Sequence, residues 1–294
     1  MMLTNKQRLP APIVAAISND SYTKGDANIS VTELLTPPQV VYLKKKHASE
    51  ISEDASDRIW SLIGQAVHTI IERASSQVDV LSETTLFTEC LGWKIKGTAD
   101  HVTLTNAELC DFKVTTAYKI KAENIPQEWV QQTNIYRYML HKERGLLINS
   151  IAVIAILRDW SKREARRSPE YPQTQVVRLE VPLWSVEEAE AFLEERVRLH
   201  QMEEPPPCSD ADTWAKPSKW AVMKKGRTSA VKLFDNAEEA MQTALQAGGS
   251  HSVEYRRGEV PRCQDYCAAS QFCEQWRLDP RNVSSNNMEG FLGG

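Results

Sequence analysis

Ser150-Ile-Ala-Val-Ile-Ala-Ile-Leu157 carries no charge and four β-branched side chains in eight residues. A run this short cannot cross a bilayer, and without polar alternation it does not suit a half-exposed sheet. It predicts an inner strand buried on both faces, which needs helices above and below its sheet. The flanking sequence supplies them. From Ser56 to Ser75, Ile59, Leu62, Ile63, Ala66, Val67, Ile70 and Ile71 recur at helical spacing. Trp129 to His141 is helical, and a Ser185/Glu188 capping box opens a helix reaching about Gln201. Ser30-Val-Thr-Glu-Leu-Leu opens another, interrupted at Pro37-Pro38 and resumed through Lys46. Strand-like stretches at 83–90, 92–104, 107–116 and 174–181 lie among them, with a charged loop at 158–173. Strands and helices sharing one sheet define an α/β core, a central mixed sheet flanked by helices.

The texture changes after Pro205-Pro206-Pro207. Trp220-Ala-Val-Met and Ser229-Ala-Val-Lys-Leu-Phe read as strands joined by a Lys224-Lys225-Gly226-Arg227 turn. A helix from Asn236 to Ala247 ends at Gly248-Gly249, and His251-Ser-Val-Glu-Tyr is a third strand. The expected organisation is a flexible N-terminal arm (1–28), a core (29–207), a basic ββαβ insertion (208–262), and a cysteine segment with tail (263–294).

Net charge is −4, yet the segment from Lys216 to Arg262 holds nine Lys/Arg against five Asp/Glu. A basic face on an acidic protein can still follow a phosphate backbone, so Lys224, Lys225 and Arg227 are candidate DNA contacts. Lys232, Arg256 and Arg257 extend that patch; Trp214 and Trp220 either stack on bases or pack the module's own core. The 41% apolar and 25% charged content suits a globular chain. No apolar run approaches the ~20 residues of a membrane span, and the N-terminus lacks a signal-peptide core, so a cytoplasmic protein with no membrane partner is expected.

Six cysteines in such a compartment do not predict a disulfide framework. Cys90 and Cys110 sit in apolar strand-like stretches and are expected as buried thiols. Cys263, Cys267 and Cys273 are crowded together, and Cys208 follows the proline break.

Asp100, Asp111 and Lys113 carry the chemistry. Thr105-Asn106 is a plausible two-residue turn, and counting back from it places Asp100 opposite Asp111. Alternation puts Asp111 and Lys113 on one side of their strand, and Asp100 joins them across the pair. Two carboxylates and the Phe112 carbonyl suffice for Mg2+ or Mn2+, which retains several waters. Lys113 would orient or deprotonate the attacking water and stabilise phosphorane charge. This is a site for phosphodiester hydrolysis. His68, one helix upstream, is either a boundary histidine or a further ligand. Gln132 and Tyr136 stand at i and i+4 on one helix face.

Gly64-x-x-x-His68, an acid at Glu89, Gly97-Thr-Ala-Asp100, Asp111-Phe-Lys113 and Gln132-x-x-x-Tyr136 occur in an order that resembles the RecB-like branch of the PD-(D/E)XK nuclease superfamily. The resemblance covers about residues 57–157. It implies a restriction-endonuclease-like core and metal-dependent DNA cleavage. By the same resemblance His68, Asp100 and Asp111 bind one or two metal ions, Lys113 is catalytic, and Gln132 and Tyr136 contact DNA or support the site. Glu89 would be a supporting acid or a ligand for a second ion. Some members, the CRISPR-adaptation nucleases and the AddB nuclease domain among them, hold a [4Fe-4S] cluster on four cysteines. Cys208, Cys263, Cys267 and Cys273 are similar to that set. They depart from it in the three-residue spacer between the first two of the trio and in a first cysteine that follows the core. Tetrathiolate Zn2+ and four unligated thiols are the alternatives.

The resemblance implies a DNA exonuclease processing ends in recombination, repair or phage replication. Its partners would be a recombinase, a single-strand-annealing protein or a helicase. A catalytically silent DNA-binding module of a helicase–nuclease complex and a prespacer-trimming nuclease are the competing readings.

Overall fold

A computed structural model of the chain describes residues 2–19, 24–75, 79–121 and 125–282. Two units emerge, Met1–Val41 with Ser52–Pro205 and Tyr42–Ile51 with Pro206–Gly294. Residues 42–51 group with the second unit.

The first unit contains, in chain order, β1 (Met2–Thr4), α1 (Ala11–Ser18), β2 (Ile29–Ser30), α2 (Val31–Leu35), the start of α3 (Pro38–Lys46) and β3 (Ser52–Asp54). It continues with α4 (Ile59–Ala74), β4 (Val80–Cys90), β5 (Trp93–Thr103), β6 (Glu108–Thr115), α5 (Ala117–Lys121) and α6 (Gln127–Arg144). It closes with β7 (Ser150–Leu157), α7 (Lys162–Arg167), β8 (Val176–Val181) and α8 (Val186–Gln201). Where a flexible arm was expected, β1 pairs in parallel with β3, and α1 forms a helix.

The sheet runs β2-β5-β6-β7-β8, with β4 on the other edge of β5. Parallel β6–β7 pairing and antiparallel β4–β5, β5–β6 and β7–β8 pairing make it mixed. The apolar octet is β7, inside the sheet, with Ile151, Ala152, Val153, Ala155 and Leu157 buried. The core joins these strands to Trp129, Val130, Ile135, Met139 and Leu140 of α6 and to Leu193 and Val197 of α8. Reciprocal Ser30/Glu33 and Ser185/Glu188 capping boxes begin α2 and α8. Each such cap is worth about 1 kcal/mol.

Two features position the site. Leu91 (φ 49°) and Gly92 (φ 77°) make the tight β4–β5 turn, and both left-handed residues match a type I′ hairpin. That turn sets a register running from Cys90↔Trp93 to Val80↔Thr103. On its other edge β5 meets β6 only from His101 to Thr103, whereas β6 continues beside β7 through Thr115. The two strands therefore part just past the His101↔Cys110 pair, leaving a fork at Asp100 and Asp111.

α4 is amphipathic in an unusual sense: none of its residues is buried, and Trp60, Ile63 and Ile70 are exposed. Its polar positions Ser61, Gln65, His68, Thr69 and Glu72 line a cleft instead.

In the second unit, α9 (Asp210–Thr213) precedes the antiparallel strands β9 (Lys219–Lys224), β10 (Lys232–Phe234) and β11 (His251–Arg256), with α10 (Ala237–Gln246) between the last two. The strand order is β10-β9-β11. Val222, Phe234, Ala240 and Ala244 form its core, with Trp220 packed against them. α11 (Glu274–Leu278) follows Cys273. Leu43, Ile51 and Ala269 make a separate small core that includes Cys267, Phe272 and Cys273 at its margin, and His47 stacks on Phe272 at 4.1 Å. The tail from 283 lies outside the described residues. Among the described residues no helix is long and apolar enough to cross a membrane.

Candidate active site

The fork turns backbone groups into site groups. Asp100 and Asp111 stand opposite each other where β5–β6 pairing stops, the register counted from a Thr105-Asn106 turn. The Phe112 amide donates to Asp100 Oδ2 at 2.8 Å. Lys113 Nζ lies 2.7 Å from Asp111 Oδ2 and 3.0 Å from Oδ1. The Asp111 side chain is only 1% exposed, so Lys113 supplies the countercharge that a buried carboxylate requires.

His68 reaches the same place from α4. Its Nδ1 is 3.0 Å from Glu83 Oε1 and 3.7 Å from Asp100 Oδ2, and its Nε2 is 3.1 Å from the Phe112 carbonyl oxygen. A carbonyl only accepts, so Nε2–H donates to it. The hydrogen bond with Glu83 holds His68 above the usual imidazole range; burial opposes this, and the charges of Asp100 and Glu83 reinforce it. Burial, and then the nearby charge of Asp111, push Asp100 up to about 7. Burial disfavours the Lys113 ammonium, but Asp111 and Asp100 outweigh it and hold Lys113 above its ordinary value.

Glu83 is the acid that the sequence reading missed. Its neighbours pair Ser82↔His101 and Thr84↔Ala99, which sets Glu83 opposite Asp100. Its φ of 42° is left-handed, a strain of roughly 1–3 kcal/mol for a non-glycine residue. Glu89, the expected acid, instead opposes Lys94 and is exposed, six residues and about 20 Å farther along the strand. The signal for Glu83 was present in the Leu91-Gly92 turn, from which the register can be counted.

His68, Glu83 and Asp100 offer ligand atoms within 4.8 Å of one another. Mg2+ holds donors at about 2.0–2.1 Å, so neighbouring ligands stand about 3 Å apart and opposite ones about 4.2 Å. The 3.0 and 3.7 Å separations at His68 Nδ1 match that range, so these residues fit a divalent ion. Asp111 is turned to Lys113 beside this trio, and the Phe112 carbonyl is engaged by His68.

Gln132 Nε2 donates to the Tyr136 hydroxyl at 2.8 Å, and Tyr136 lies against Gly97. A β-carbon at Gly97 would meet Tyr136 Cε1 at 2.9 Å and Met139 Sδ at 3.1 Å. Glycine there lets α6 close onto β5. The resulting cleft, about 1140 Å³, is bordered by His68, Glu83, Asp100, Lys113 and Tyr136, with Lys24 and Lys96 also lining it.

The remaining candidates lie in the second unit. Lys224, Lys225 and Arg227 are exposed around the β9–β10 turn. Trp220 packs in its module and tilts against Tyr255 at 4.9 Å, while Trp214 meets Tyr266 at 5.4 Å and Arg262 at 5.1 Å. Cys208, Cys263, Cys267 and Cys273 are partly buried and form no disulfide among the described residues. Gln275 holds Cys208 from both sides, accepting from its amide at 2.9 Å and donating to its carbonyl at 2.7 Å. Burial, Asp212 and the neighbouring Cys273 and Cys263 push Cys208 up to about 12; burial with Cys267 and Cys273 pushes Cys263 to about 11.

No family model and no curated protein matches the sequence. Among solved structures the chain is similar to SSO0001, at 15% identity over 69% of this chain and 88% of that one, TM-score 0.45. It is also similar to a Eubacterium rectale protein named "Putative exonuclease", at 13% identity over 57% and 71%, TM-score 0.28. At these scores neither likeness bears on function.

Proposed function

We propose that this chain is a divalent-metal-dependent DNA nuclease with a PD-(D/E)XK-type core, acting on DNA ends as an exonuclease. One observation carries the reading: the β5–β6 fork gathers His68, Glu83 and Asp100 within ligand distance beside a buried Asp111–Lys113 pair. A divalent cation held by that trio would neutralise developing phosphoryl charge and lower the pKa of water. Lys113, kept as an ammonium by Asp111 and Asp100, donates hydrogen bonds to a phosphate oxygen or orients the attacking water. Asp111 holds Lys113 in place, and Tyr136 with Gln132 shapes the cleft wall. Lys224, Lys225 and Arg227 form no ion pair among the described residues and serve as further backbone contacts in this reading.

The four cysteines would hold a [4Fe-4S] cluster, with Zn2+ as the alternative. Cys263 and Cys273 stand near enough to Cys208, and Cys267 and Cys273 near enough to Cys263, to add to the effect of burial in raising those two thiols, and a cationic centre would remove their protons. Its role would be to fasten the C-terminal segment.

The test is a time course on end-labelled linear and on circular DNA with Mg2+ or Mn2+. Loss of linear but not circular DNA, abolished by Lys113→Ala and by Asp100→Asn, is expected. Intact linear DNA with both metals and folded wild-type protein would sink the enzymatic reading and leave a silent DNA-binding module.

A further inference from the structure

Beyond the cleft, the same unit presents an aromatic and cationic surface that phosphodiester chemistry does not use. Arg158 lies over the exposed indole of Trp60 at 3.6 Å, a stacked guanidinium–aromatic pair. The Arg158 amide donates to the Thr115 carbonyl at 2.9 Å, two residues beyond Lys113 on β6. Asp159 accepts from the Ala117 amide at 2.7 Å, tying this turn to α5, where Tyr118 is 85% exposed. Next in the chain, α7 carries exposed Lys162, Arg163, Arg166 and Arg167 against a single acid, Glu164, whose nearest cation is Arg167 at 3.6 Å. Lys162, Arg163 and Arg166 form no ion pair among the described residues. Ser61 and Val114, the chain neighbours of Trp60 and Thr115, line the cleft.

We infer that Trp60, Arg158 and the cations of α7 form a track for single-stranded nucleic acid leading to the Lys113 end of the cleft. Exposed aromatic faces interleaved with unpaired cations suit unpaired bases on a phosphate backbone, whereas a duplex keeps its bases stacked inside. Clustered like charges repel in the free protein, and a polyanion relieves that repulsion. The inference rests on the nuclease reading, whose substrate form it specifies.

Binding of labelled oligodeoxythymidine and of a blunt duplex to the full chain, in chelator so that nothing is cut, tests it by anisotropy across a salt series. Neutralising Lys162, Arg163 and Arg166 to Gln should flatten the slope of log affinity against log salt by about 2 on the single strand, roughly 0.7 per lost contact. Trp60→Leu, at a half-exposed position, should weaken oligodeoxythymidine binding roughly five- to hundred-fold and duplex binding less than about two-fold. Unchanged single-strand affinity and slope in both variants would overturn the track while leaving wild-type cleavage and the nuclease reading intact. An equal loss on duplex would overturn its single-strand character. Wild type that neither binds nor cuts DNA would instead remove the nuclease reading beneath it.

Discussion

Gly97→Ala isolates the contact on which the cleft wall depends. The added methyl would sit 2.9 Å from Tyr136 Cε1, 3.1 Å from Tyr136 Cδ1 and 3.1 Å from Met139 Sδ, all closer than carbon packing allows. Tyr136 is 4% exposed with its hydroxyl bonded to Gln132, and Met139 is fully buried, so the ring has little room to yield. Overpacking of this kind costs about 1–3 kcal/mol. For a unit of about 200 residues, a loss near 2 kcal/mol lowers Tm by roughly 4–8 °C. Differential scanning calorimetry of the wild type, Gly97→Ala, Tyr136→Leu and the double variant measures the effect and its origin. The alanine should cost less than about half as much once the ring is gone, a coupling of about 1 kcal/mol. A Tm within about 1 °C of wild type, or the same cost in the Tyr136→Leu background, would refute the packing argument.

Glu83→Gln should weaken Mn2+ binding by calorimetry and depress cleavage, while Glu89→Gln leaves both unchanged; the reverse pattern would restore Glu89 to the site. In chelator, Asp100 retains its proton up to about 7 in the folded chain but loses it near 4 when unfolded, so its contribution to stability falls as pH rises between those values. His68, shifted upward, contributes stability that is full below about 6.5 and is lost as pH rises through its folded pKa. Urea midpoints should therefore decline from pH 5 to pH 8 less steeply in Asp100→Asn than in wild type, and parallel curves would contradict this. Protein purified without oxygen should absorb near 400 nm (approximate, for an iron–sulfur cluster) and lose the band in Cys263→Ser. Tightly bound zinc in its place would select the alternative centre.

Local signals carried much of the fold. The apolar octet marked β7, and the Ser185/Glu188 capping box marked the start of α8. Thr105-Asn106 was enough to oppose Asp100 to Asp111 because a short turn fixes the register of the two strands it joins. Glu83 escaped because the Leu91-Gly92 turn was not counted the same way. Glu89 is nearer Asp100 in sequence but far from it along the paired strands. α7 lay unnoticed inside a loop because six charged and small residues have no apolar periodicity. The grouping of 42–51 with the second unit rests on contacts such as His47 on Phe272, which no local pattern announces.

α4 holds one more consequence. None of its residues is fully buried, its apolar contacts resting on the partly buried Ile59, Leu62, Val67 and Ile71, and His68 joins it to β4 and β6 through Glu83 and the Phe112 carbonyl. A side chain proposed to bind a metal ion is thus also a latch for its helix. Amide hydrogen exchange along Ile59–Ala74 should slow when the trio is occupied and quicken in His68→Ala, so the helix backbone reports on the site without any substrate being cut.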